Sequence, residues 1–82
     1  MADVFLSQTA NEQLDDLPND VADRIRDKLR DAGERPDRQL RQMSGRDDYS
    51  IRVGDYRALA DWDKADNAIY VTEIAHRRNV YD

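Results

Sequence analysis

Eighty-two residues with a formal net charge of −5 and no cysteine describe one small domain that relies on neither disulfides nor thiolate metal ligation. A chain of this length buries only about 60 to 65% of the surface its unfolded form exposes, so a bound partner adds usefully to its stability. The longest apolar run is a few residues, and Met1 to Ser7 shows no basic region followed by an apolar stretch, which argues against a membrane span or secretion signal and makes a reducing cytoplasm the expected compartment.

Asp3 to Leu6 carries Val4, Phe5 and Leu6 and reads as an opening strand. Thr9 and Glu12 have capping-box spacing, which predicts a helix start there, and Ala10, Leu14 and Leu17 share one helical face until Pro18 interrupts it. Asn19 is placed to cap a second helix, whose Val21, Ile25, Leu29 and Ala32 form the apolar stripe and whose Gly33 marks the stop. Asp20, Asp23, Asp27 and Asp31 give this helical hairpin an acidic outer face. Glu34 to Asp48 contains Pro36, Gly45 and few apolar residues beyond Leu40 and Met43, so it reads as a connecting segment.

From Tyr49 the period of the pattern changes to two. Tyr49, Ile51 and Val53 alternate with Ser50 and Arg52, and Gly54-Asp55 offers a two-residue hairpin turn. The return strand puts Tyr56, Ala58, Ala60 and Trp62 on one face, with Arg57, Leu59 and Asp61 on the other. After a turn at Asp63 to Asn67, Ala68 to Ile74 is apolar on both faces apart from Thr72 and Glu73, as an interior strand is. The expected fold is α+β: an N-terminal strand, a two-helix hairpin and an antiparallel three-stranded meander packed on the helices, all in one domain over residues 1–82.

If Gly54 and Asp55 alone form the loop, Val53 opposes Tyr56 and Arg52 opposes Arg57. Two arginines facing each other on one surface repel by about 0.2 to 1 kcal/mol, and an anion lying across both reverses the sign. The competing structural reading pairs Arg52 with Asp61 or another nearby acid, or lets both side chains splay into solvent. The ending His76-Arg77-Arg78-Asn79-Val80-Tyr81 adds a second cationic cluster, in which arginine forks suit phosphate. His76 is the sole histidine and a candidate general acid or base, or simply a half-exposed residue at a strand end. Tyr81 is placed either to stack on a base or to pack on the sheet. The many Asp residues show neither a calcium-loop pattern nor a histidine at ligand spacing, so neither a metal nor another cofactor is expected.

The run Tyr49-Ser50-Ile51-Arg52-Val53-Gly54-Asp55-Tyr56-Arg57 and the tail Ile74 to Tyr81 resemble the RelE/ParE superfamily of toxin-antitoxin toxins, especially its RelE-like members, and Leu14-Asp15-Asp16-Leu17-Pro18 is similar to the end of that family's first helix. The resemblance implies a RelE-like fold and a ribosome-dependent messenger RNA endonuclease that cuts in the A site and is held inactive by a RelB-like antitoxin. It assigns catalysis to Arg52, Arg57, Arg77 and Tyr81, with Arg57 and Arg77 stabilising charge on the phosphate. Arg52 would activate the 2′-hydroxyl or hold the backbone, and Tyr81 would stack a base. Arg46, Arg78 and Ser50 are expected to contact RNA. Ser50 stands where some RelE proteins carry a lysine, which strengthens His76 as the general base.

Two other readings compete with it: a ParE-like inhibitor of DNA gyrase, and a catalytically silent domain that only binds a partner protein. The charge distribution bears on all three. Residues 1–34 hold four basic and nine acidic residues, whereas residues 35–82 hold nine of each, so the second half is free to display a local basic surface. Fifteen Asp against three Glu and eleven Arg against two Lys suggest a protein hydrated in concentrated salt, hence a halophilic source.

Overall fold

The computed structural model describes residues 1–42 and 48–76. The order is β1 (Asp3–Leu6), α1 (Gln8–Asp15), α2 (Asn19–Glu34), α3 (Pro36–Gln39), β2 (Arg41–Gln42), β3 (Tyr49–Val53), β4 (Tyr56–Asp63) and β5 (Ala68–His76). The α+β expectation holds, and the β3-β4-β5 meander is antiparallel as read. The sheet is larger than the meander, because β1 pairs in parallel with β5 and β2 joins the opposite edge, giving the order β1-β5-β4-β3-β2. The short α3 and β2 fall in the stretch read as a plain connection. Four and two residues long respectively, they are too brief for periodicity to register.

Helix boundaries differ from the expected ones for local reasons. Ser7, not Thr9, opens α1: its hydroxyl accepts the Ala10 N–H at 3.0 Å and donates to the Thr72 carbonyl at 2.8 Å, so one side chain caps the helix and ties it to β5. Pro18 takes the cap position of α2, with φ −53° and ψ 144°, and Asn19 lies inside the helix. Gly33 does not end α2, which runs on to Glu34. Its role is close approach: a Cβ there would lie 2.8 Å from the Ala2 carbonyl oxygen and 2.9 Å from Val4 Cγ2, and the Gly33 carbonyl accepts the Ala2 N–H at 2.6 Å.

The core lies between the helices and one sheet face. Leu14 of α1 and Ile25 and Leu29 of α2 pack with Ile51, Ala58, Ala60, Ile69, Val71 and Ile74 of the sheet. Leu14, Ile25, Ile51, Ile69 and Val71 are sequestered almost completely, each contributing about 1.5 to 3 kcal/mol by burial. At the end of the meander Tyr49 meets Trp62 edge to face at 5.5 Å, and Lys64 lies over the indole at 4.7 Å.

The Thr72-Glu73 doublet is a β-bulge. Leu59 opposes Glu73 and Ala60 opposes Val71, so Thr72 is the extra residue, its hydroxyl donating to the Leu59 carbonyl at 3.2 Å. The bulge keeps Ile74 on the core face with Ile69 and Val71. Pairing of β1 with β5 ends at Val71, and α1 takes over as the neighbour of β5: the Ile74 N–H donates to Gln13 Oε1 at 2.6 Å. No helix among the described residues is long and apolar enough to cross a membrane.

Candidate functional site

The two-residue turn sets the geometry. Gly54 has φ +57°, which glycine adopts without a steric penalty, and the register places Val53 opposite Tyr56 and Arg52 opposite Arg57. Residues directly opposed on one face have Cβ atoms about 4.5 to 5.5 Å apart, so a single phosphate is small enough to engage both guanidinium groups. Both arginines lie on the outer sheet face, the one away from the core; Arg52 is exposed and Arg57 half-buried. Asp61 is four residues along β4 from Arg57 and faces Tyr70, so its register partner is not Arg52.

Ser50 lies on this same outer face but is only 8% exposed. Its cross-strand partners are Leu59 on β4 and Arg41 on β2. Arg41 is exposed, shares the face with Arg52, and stands across the ladder from Ser50. It was missed in the sequence because β2 is two residues long and follows a stretch with no strand pattern. The only available signal was an arginine directly after the buried Leu40.

The register does not bring His76 to the arginine pair. Ala75 opposes Arg57, whereas His76 opposes Tyr56 on the core-facing side, with the two rings edge to face at 5.2 Å. Arg46, Arg77, Arg78 and Tyr81 lie outside the described residues. At the opposite corner of the outer face Phe5 and Tyr70, 50% and 42% exposed, stack with centroids 5.3 Å apart.

The register sets one arginine from each of β2, β3 and β4 on one face of the sheet. Such a surface suits an anion electrostatically.

Comparison with known proteins places this geometry in context. No curated relative matches the chain. Among solved structures, the chain is similar to the toxin-antitoxin complex RelBE2 from Mycobacterium tuberculosis, with 23% identity, a TM-score of 0.84, and coverage of 93% of this chain and 98% of that one. The archaeal RelE-RelB complex from Pyrococcus horikoshii gives 20% identity, a TM-score of 0.79, and coverage of 96% and 98%. The isolated E. coli RelE toxin gives 17% identity, a TM-score of 0.76, and coverage of 93% and 84%. These likenesses establish the RelE-like fold. The profile of the family described as the ParE toxin of type II toxin-antitoxin system, parDE, matches residues 4–81, nearly the whole chain. The chain therefore belongs to the ParE toxin family of type II toxin-antitoxin systems.

Proposed function

We propose that this toxin cleaves messenger RNA in the ribosomal A site, in the cytoplasm, and is silenced by a RelB-like antitoxin. The observation that carries the reading is the directly opposed Arg52 and Arg57 on an outer sheet face, with Arg41 beside them. In this reaction the 2′-oxygen of a splayed nucleotide bonds to its adjacent phosphorus as the bond to the 5′-oxygen breaks. The 2′-hydroxyl loses its proton and the departing 5′-oxygen gains one, leaving a 2′,3′-cyclic phosphate. Arg57 and Arg77 bear the charge that builds on the pentacoordinate phosphate, Arg52 and Arg41 hold the strand, and Tyr81 stacks a base. Arg46 and Arg78 hold flanking phosphates. No proton transfer is assigned to His76, which faces Tyr56. Support for the antitoxin comes from the RelB-RelE complexes among the structural relatives.

A second reading, inhibition of DNA gyrase, draws on the match to the ParE family profile. Induced expression followed by mapping of RNA 5′ ends separates the two. Cuts aligned with codons on translated messages are the expected result, and intact messages with blocked supercoiling would establish the second reading instead.

A further inference from the structure

The end of the β3–β4 hairpin meets α2 across a cleft of about 450 Å³, lined by Arg24, Asp27, Lys28 and Asp31 of the helix and by Arg52 and Gly54 of the hairpin. Its charges are not simply balanced. Asp27 pairs with Arg30 at 3.6 Å, and Asp31 accepts a hydrogen bond from Gln39 Nε2 at 2.5 Å. Arg24, Lys28 and Arg52 form no ion pair among the described residues, so three cations with no committed partner line one opening. Arg52 belongs to both features: it is half of the opposed pair on the outer face and a wall of the cleft. Strand β2 pairs only with Tyr49 and Ser50, so among the described residues Arg52 sits at the sheet's edge, where an outer face and a helix-side cleft become one surface. A Cβ built on Gly54 would meet nothing within 4 Å, so the turn leaves the passage open.

We infer that this cleft carries the RNA backbone away from the cleavage face, around the edge of β3 and onto α2. Lys28 and Arg24 hold successive phosphates beyond the one at Arg52. They are four residues apart, about 6 Å along the helix axis, on the same side of α2. Asp27 and Asp31 beside them cancel most of the long-range field, so the attraction acts at contact distance. The inference rests on the RNA-cleavage reading and extends its substrate contacts past the scissile phosphate. An acidic protein segment is the alternative occupant. The shared Arg52 favours RNA, because a strand held at the opposed pair must leave the sheet, and this edge provides cations for it.

The test uses the full chain and a fluorescein-labelled, fully 2′-O-methylated 12-nucleotide RNA, which cannot be cut, with anisotropy read across a salt series. Arg24→Ala/Lys28→Ala is expected to weaken binding about tenfold and to reduce the salt slope by about 1.4, the value for two single-strand phosphates. Lys28→Arg should retain binding, and unchanged thermal midpoints would exclude a folding effect. Affinity and slope equal to those of the unsubstituted chain would overturn the inference. So would a double variant that loses affinity only for an oligoglutamate peptide, which would assign the cleft to an acidic protein. Message cleavage is scored in parallel: a cutting wild type with an unaffected double variant removes this path alone, whereas an inactive wild type removes the cleavage reading and leaves the affinity comparison to decide the cleft.

Discussion

Arg52 and Arg57 are direct cross-strand partners on the outer face of the β3–β4 hairpin, a like-charge pair next to the turn. Such a pair opposes folding by about 0.2 to 1 kcal/mol when nothing anionic lies between its members. Replacing Arg52 with threonine, which suits a strand, is expected to raise the melting midpoint by about 1 to 6 °C at low ionic strength. The gain should fade as salt screens the repulsion. The same variant should bind RNA more weakly. A melting midpoint that falls at low salt would show that Arg52 makes a stabilising contact that outweighs the cross-strand repulsion.

Loss of a single charge-stabilising donor typically lowers an enzyme's rate by about 10² to 10³. Arg57→Ala and Arg77→Ala are therefore each expected to abolish growth arrest on induction while leaving antitoxin capture intact, measured by co-purification with the cognate antitoxin. Arg41→Ala should have a smaller effect, because Arg41 stands over Ser50 at the margin of the opposed pair. Persistent toxicity in the Arg57/Arg77 double variant would rule out the proposed chemistry.

The hairpin was legible because its information is local: one glycine, one alternating pattern and a two-residue loop fix which residues oppose each other. Other features depend on partners distant in sequence. The parallel pairing of Val4 and Leu6 with Ile69 and Val71 leaves no mark in either segment alone. Ser7 outcompeted the better-looking capping box at Thr9 because its hydroxyl also reaches Thr72, 65 residues away. The polar doublet Thr72-Glu73 was visible as an interruption, but its meaning as a bulge required the register with Leu59. That register sets His76 opposite Tyr56 on the core-facing side, off the face that carries Arg52 and Arg57. Arg41 escaped notice for a related reason, since two residues of strand are too few to declare a face.

Gly33 offers a test in which two local rules disagree. Helix propensity favours alanine over glycine by up to about 1 kcal/mol within a helix, and Gly33 lies in the last turn of α2. The new methyl group, however, would lie 2.8 Å from the Ala2 carbonyl oxygen and 2.9 Å from Val4 Cγ2, and the first of these is backbone. Overpacking of this kind costs about 1 to 3 kcal/mol, so Gly33→Ala is expected to be net destabilising by up to about 2 kcal/mol. A lower urea midpoint at unchanged slope would report it. A raised midpoint would mean that β1 moves off α2 at little cost.

Gln13 makes the link between helix and site that is most exposed to a single change. Its Oε1 accepts the N–H of Ile74, a residue only 5% exposed, at the point where β5 has lost β1 as a neighbour and has passed its bulge. Gln13→Leu would leave a buried donor unsatisfied, at a cost of about 1 to 3 kcal/mol, whereas Gln13→Glu keeps an acceptor. The penalty should be local: the Ile74 amide is expected to exchange with deuterium faster in the leucine variant, while the amides of Ile69 and Val71 continue to exchange only through global unfolding. Ala75, the residue after Ile74, faces Arg57 across the ladder, so loosening this end of β5 also loosens one wall of the arginine pair. Message cleavage should therefore fall in Gln13→Leu and recover in Gln13→Glu. Equal exchange at Ile74 in both variants would show that the end of β5 is held by something other than α1.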